Sequence, residues 1–340
     1  MLAEREISGP HRPPADWRAA VAPYVGPDAS RALAQLATTL VLLALSFTIA
    51  YLLSARSVVA ALAMAPLSAG LLVRTFIVMH DCAHGSFLPW RRASDFVGFV
   101  TGVLTLTPFD QWRRDHALHH ASSGDLDRRG HGDIPTLTVR EYLARSPRGR
   151  LAYRAVRHPA TLLLGGPLHL MISQRFRPRS KATGARQVES VWATNVAIVV
   201  AAAAAVALFG WRSLLIVYLP AFYLAAMAGV WLFYVQHQFE DAYWESAGDW
   251  DYATAALHGS SHLVLPPVLQ WFTGSIGLHH VHHLAPRIPN YRLQRCHDAT
   301  PLLQEAPVLT LRTGVSALRL ALWDEERRRL VRFSDLRDGS

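Results

Sequence analysis

Polar and charged residues vanish from four stretches of the chain and return in force between them. Leu33 to Leu53 runs 21 residues without a charge, and Val58 to Met79 runs 22 residues broken only by Arg74. Val191 to Gly210 and Ser213 to Val235 repeat the plan. As helices rising about 1.5 Å per residue, each covers the roughly 30 Å hydrocarbon core of a bilayer. Only Ser54 to Ser57 separates the first pair and Trp211-Arg212 the second, so two helical hairpins are expected. Arg74, toward the end of its span, is expected to snorkel to the headgroups. The apolar stretches Phe96 to Phe109, Ala160 to Ser173 and Leu263 to Leu278 are shorter and interrupted by Gly or Pro, and read as interfacial or re-entrant helices. Val315 to Arg332, apolar on one side and carrying Arg327 to Arg329, reads as a helix lying on an anionic membrane surface.

Composition agrees with this pattern: 51% of residues are apolar and only 17% charged, a poor soluble surface but an ordinary polytopic one. The fold class expected is therefore all-α, an integral membrane protein with four transmembrane helices, interfacial helices and a cytosolic helical cap. The net charge of +9 suits either nucleic acid or an anionic leaflet, and the apolar spans decide for the leaflet. Asp110 to Arg186 holds fifteen Lys or Arg against six Asp or Glu, whereas each hairpin turn carries a single Arg, Arg56 or Arg212. By the positive-inside rule the termini and the long central loop are cytoplasmic. The first thirty residues contain no apolar run that would make a cleavable signal, so insertion is expected to rely on the first span. Residues 1–32 read as a cytosolic N-terminal segment, 33–303 as the membrane domain and 304–340 as a basic cytosolic tail. The two cysteines, Cys82 and Cys296, exclude a disulfide scaffold.

Histidine then changes the picture. His80/His84, His116/His119/His120 and His279/His282/His283 form HxxxH, HxxHH and HxxHH clusters, all on the expected cytoplasmic side. Positions three and four apart share a helix face, so each cluster can point its imidazoles one way. Neutral imidazole is the commonest side-chain metal ligand. Adjacent histidines in HxxHH diverge by about 100°, and eight imidazoles exceed one ion's needs, so two metals sharing the set follow. All-nitrogen ligation fits Fe, Zn, Cu or Ni, and spacing does not choose among them.

The three clusters, together with Gln236-His237-Gln238-Phe239-Glu240 and the run from Gly277 through Pro286-Arg287-Ile288-Pro289-Asn290-Tyr291, resemble the membrane-bound fatty acid desaturases over roughly Leu33 to Leu303. The resemblance implies a di-iron centre on His80, His84, His116, His119, His120, His279, His282 and His283, with His237 as the ninth ligand. It implies an enzyme that uses dioxygen and two electrons to place a cis double bond in an acyl chain. Three residues separate the first-cluster histidines where acyl-CoA desaturases have four, and Phe233 stands where those enzymes carry Asn. His279 replaces the Gln that front-end desaturases show, and the chain carries no haem motif. The acyl-lipid Δ12/ω6 type is the closest match. No Gly-rich dinucleotide fingerprint or Cys cluster is present, so an external donor such as ferredoxin is expected.

Other residues are weighed against plainer roles. His280 points off the shared face and is expected to hydrogen-bond rather than ligate. Asp81 is a candidate to accept a proton from an imidazole of the centre, an idea that Asp115, Asp125, Asp127 and Asp133 invite with less force. Cys82 reads as a small packed residue. His258 and His262 form an HxxxH decoy, and His11, His131, His158, His169 and His297 read as isolated. Trp112, Trp244, Trp271 and Phe272 read as an interfacial belt rather than as the lining of an acyl tunnel. Two alternatives remain open: a hydroxylase or ketolase on the same centre, and a histidine-rich metal transporter. The transporter would need ionisable ligands within the spans, which offer only Arg74.

Overall fold

The computed structural model describes residues 13, 16–130, 134–175 and 184–336; His11, His131 and Asp133 lie outside the described residues. The principal helices are α1 (Ala29–Ser54), α2 (Val58–His84), α3 (Arg91–Leu104), α4 (Phe109–Ser122), α5 (Pro147–Val156), α6 (Thr161–Ser173), α7 (Ala185–Phe209) and α8 (Ser213–His237). Four of them, α1, α2, α7 and α8, are long and apolar enough to cross a membrane. The protein is an all-α membrane protein with a few short strands, as the hydropathy pattern predicts.

Burial along α1 shows how the spans associate. Its buried positions, Ala32, Gln35, Thr39, Leu43, Ser46, Ala50 and Ser54, recur every three or four residues and are mostly small or polar. Val41, Leu42, Leu45, Ile49 and Leu52 stay exposed. Lipid is as apolar as leucine, so a span gains by turning small and hydrogen-bonding residues inward for close packing. Ser68 on α2 accordingly meets Ser46 at 3.1 Å. The central helix is α2, which packs on α1, α3, α4 and α8.

Each of the four long helices starts earlier or runs further than its apolar stretch, and two of the extensions carry histidines. Helix α2 continues past Met79 through His80 and His84 before Gly85 ends it in the left-handed region (φ 65°), with the Ser86 N–H returning to the Asp81 carbonyl. Helix α8 continues past Val235 to His237. Extension of a membrane helix into the cap is thus the device that lifts ligands out of the bilayer without breaking the backbone ladder.

Beyond the last span come α9 (Tyr252–His258), α10 (Pro267–Phe272), α11 (His279–Leu284), α12 (Asn290–Ala299) and α13 (Leu311–Ala317). Short strands tie this half together. Among them β1 (Leu137–Thr138) pairs in parallel with β4 (Leu320–Asp324), which pairs antiparallel with β5 (Arg329–Arg332). A second parallel pair joins β2 (His262–Leu263) to β3 (Val308–Leu309).

Three expectations are corrected. Val315 to Arg332 is not one surface helix: α13 stops at Ala317 and a β-hairpin follows. Leu320, Ala321, Leu322 and Trp323 are all buried, which one face of a surface helix does not permit, and Asp324 Oδ1 accepts the Glu326 and Arg327 N–H groups to close the turn. The arginines of that run instead make ion pairs, Arg327 with Asp324, Arg328 with Glu245 and Arg329 with Glu240. Arg74 does not snorkel. It is 8% exposed, stacks 4.1 Å over the Trp271 ring and donates to Thr39 Oγ1 and the Trp271 carbonyl, so it fastens α10 to the span rather than reaching the headgroups. The aromatic belt also dissolves in part, since Trp244 is buried against Phe239 and Trp323, Phe272 packs on Gly70, and Trp112 stacks on His116.

Candidate metal centre

Four helices deliver imidazoles to one place. His80 and His84 come from α2, His116, His119 and His120 from α4, His237 from the end of α8, and His279, His282 and His283 from α11. They sort into two groups, each with ligand atoms within 4.8 Å of one another: His80, His84, His116 and His282, and His119, His237, His279 and His283. His120 lies at the seam. Its Nε2 is 3.1 Å from His116 Nε2 and 3.0 Å from His282 Nε2, while its ring stacks 4.0 Å from His283. As HxxHH spacing predicts, His119 and His120 face different groups.

The nitrogen contacts are those of a cation site rather than of a hydrogen-bonded cluster. In the first group the Nε2 atoms of His80, His282, His120 and His116 form a closed ring with edges of 3.0, 3.0, 3.1 and 3.2 Å. A neutral imidazole nitrogen carries either a proton or a lone pair, so four nitrogens in a ring serve at most two of those contacts as hydrogen bonds. Nitrogens about 2.1 Å from one ion and a right angle apart would be separated by about 3.0 Å. In the second group, His237 Nε2 lies 3.1 Å from His119 Nε2 and 3.0 Å from His279 Nε2. His84 Nε2 and His283 Nε2 are buried with no hydrogen-bond partner, which metal ligation would remedy.

Protonation favours the same use. Burial, reinforced by neighbouring imidazoles, holds His116, His120, His279, His282 and His283 well below the ordinary histidine value, so each is neutral with a lone pair to give. His80 and His237 are oriented from behind. His80 Nδ1–H is donated to Asp81 Oδ1 at 3.0 Å and His237 Nδ1–H to the Gly259 carbonyl at 3.2 Å, leaving Nε2 bare in both.

The remaining sequence candidates disperse. Asp125 pairs with Arg128, Asp127 accepts from the Ala247 N–H, and Asp115 accepts from Gln111. Cys82 is buried against Val78, Met79 and Phe87, a packed residue as expected. His280 turns away, its Nε2 3.2 Å from His297 Nδ1, and His262 stacks edge-on to His297. Those three make a separate polar knot, so His262 and His297 are neither isolated nor among the converged imidazoles. His158 accepts the Ala160 N–H, and His169 is exposed.

Sequence reasoning missed Arg157. Its side chain is 1% exposed and donates to the Pro135 and Leu320 carbonyls, Tyr234 Oη and Gln238 Oε1, clamping the C-terminal hairpin to the residue after His237. No local pattern marks it. An arginine among exposed arginines looks like every other until the sheet closes over it.

A bundle of apolar spans capped by two groups of convergent imidazoles defines a membrane protein able to hold metal ions among buried side chains. The chain belongs to the fatty acid desaturase family, whose sequence model matches residues 55–309. It is 45% identical over 316 residues to a fatty acid desaturase of Bacillus subtilis, covering 92% of this chain and 89% of that one. It is 27% identical to the sn-1 oleoyl-lipid 12-desaturase of Synechocystis sp., over 67% of this chain and 64% of that protein. An omega-6 fatty acid desaturase of spinach chloroplasts is also 27% identical, over 66% of this chain and 49% of that protein. The protein is thus a fatty acid desaturase, an oxidoreductase set in a membrane.

Proposed function

We propose that the protein is a di-iron acyl-lipid desaturase that inserts a cis double bond into a membrane acyl chain. The observation that carries this reading is the convergence of nine imidazoles, seven of them with Nε2 contacts near 3 Å, into two groups. The first ion falls to His80, His84, His116, His120 and His282 and the second to His119, His237, His279 and His283, with iron favoured because the donor set suits it and the reaction of the family consumes dioxygen. When bound, the irons supply the activation of dioxygen: the chain loses two hydrogens from adjacent methylenes, and these, two electrons and two protons convert O2 to two waters. The protein's own part is to hold the donors neutral and dry and to fix their direction through Asp81 and the Gly259 carbonyl.

Acyl-lipid is favoured as substrate by the named activity of the Synechocystis relative and by Phe233, an apolar ring 5.2 Å from His119 and 5.4 Å from His237 at the position where acyl-CoA desaturases carry Asn. Another relative is named as ferredoxin-dependent, and the basic central loop suits a small acidic carrier of that kind. The charge bias also favours a bacterial inner membrane location with termini and metal site cytoplasmic.

Expression in a host lacking the activity, followed by fatty-acid profiling, tests the reading. A new cis alkene in membrane lipids is expected, and a hydroxy or keto product would replace desaturation with hydroxylation on the same centre. His119→Ala and His282→Ala are expected to abolish the alkene and lower bound iron while the protein stays in the membrane; full activity in either would remove that residue from the centre.

A further inference from the structure

His237 in the second group leans on a neutral backbone carbonyl, whereas His80 in the first leans on a carboxylate. Asp81 is 2% exposed, and its second oxygen accepts from both the Asn290 N–H (2.7 Å) and the Asn290 side-chain amide (2.8 Å). Because that amide nitrogen is committed to Asp81, Asn290 presents its carbonyl oxygen outward, and Gln35 donates to it at 3.1 Å. Gln35 belongs to the buried stripe of α1, a span that contributes no imidazole to either group. A buried chain of hydrogen bonds therefore runs from the first membrane span, through the first residue of α12, to the back of a ligand.

We infer that Gln35, Asn290 and Asp81 form a positioning relay that fixes His80 with its Nε2 bare and sets a carboxylate behind the first metal position. The inference rests on reading the two imidazole groups as metal positions. A carboxylate hydrogen-bonded to a ligating imidazole fixes its ring and raises its basicity, and losing such a partner costs metal affinity. The carboxylate is in turn held by three N–H donors, which is what keeps it oriented in a site closed to water. Asn290 follows the third histidine cluster across Pro286 and Pro289, so the segment that supplies His282 also supplies the donors that steady His80. The two ends of the chain's ligand set are locked to each other as well as to α1.

The test uses the full-length protein, purified in detergent and loaded anaerobically with ferrous iron. Release to a chelator is followed and the Mössbauer spectrum recorded. Two ions leaving in two phases, with two distinct doublets, are expected of the unaltered protein, and His282→Ala identifies the phase belonging to the first group. Asp81→Asn keeps the shape and removes the charge; it is expected to speed that phase about 10- to 100-fold and shift one doublet, with the other phase and doublet unchanged. Asn290→Ala is expected to act on the same phase and doublet by a smaller factor. Asp81→Asn with unaltered release and doublets, or with both phases quickened equally, overturns the relay, and Asn290→Ala decides by the same criteria if Asp81→Asn does not fold. An unaltered protein that binds no iron overturns instead the reading of the groups as metal positions.

Discussion

His280 sits between two histidines of the converged set, yet its own Nε2 meets His297 Nδ1 at 3.2 Å, and burial pushes its pKa down to about 3. On a helical turn the residue after His279 must point about 100° away, so direction rather than residue type separates a ligand from a neighbour. His280→Asn is therefore expected to keep two ions per chain and most activity, at a stability cost of about 1–3 kcal/mol for the broken buried contact. His279→Ala, one residue away, is expected to lose the second ion; iron analysis of the two purified variants checks the contrast, and loss of an ion in His280→Asn would sink it. At this scale the clusters were legible because helical spacing alone aims them. The residues behind them were not: nothing local says that Gln35 will meet Asn290, or that Arg157 will be roofed by Leu320, because those meetings depend on segments up to 255 residues apart.

The helices show what hydropathy reads and what it leaves out. Length and lack of charge located all four spans, but apolar windows stop where polar ligands begin, so the extension of α2 to His84 was legible only through the histidine spacing and that of α8 to His237 only through the family resemblance. Phe96 to Phe109 was read as one short segment, whereas the chain forms α3, turns at Leu106 in the left-handed region (φ 51°), and starts α4 at Phe109. Gly102 makes that turn possible. The Thr107 N–H returns to its carbonyl at 2.7 Å, and a Cβ on Gly102 would lie 2.6 Å from the Thr107 carbonyl oxygen, a backbone atom that cannot swing aside. Gly102→Ala should push α4 away from α2 and loosen His116 against His80, lowering stability by about 1–3 kcal/mol and bound iron with it. Thermal unfolding with iron analysis checks this, and a variant that melts and loads like the parent would show that the turn gives way freely. The C-terminal hairpin escaped the same reading because its four consecutive buried residues look, in sequence, like the apolar side of a helix.

For the whole molecule, the decisive arrangement is that the histidine-bearing ends of α2 and α8 lie on one side of the bundle and the two short turns, at Arg56 and Arg212, on the other. The proposed cytoplasmic placement of the first side rests on charge asymmetry. The proposed chemistry asks for the same placement, since a soluble electron carrier of the kind proposed above would have to reach the metal side. The chain is suited to a direct test because its native thiols, Cys82 and Cys296, are both buried, at 2% and 0% exposure, and should stay silent toward a membrane-impermeant maleimide. Cysteines introduced as Arg56→Cys or Arg212→Cys are expected to label in spheroplasts whose inner membrane is intact, whereas Arg148→Cys and Ser246→Cys, exposed on the metal side, should label only after that membrane is opened. Labelling in the opposite order would place the metal positions outside the cell and leave the proposed cytoplasmic electron supply without access. Because each hairpin is tested from its own turn, a result in which Arg56→Cys and Arg212→Cys disagree would break the two-hairpin topology itself.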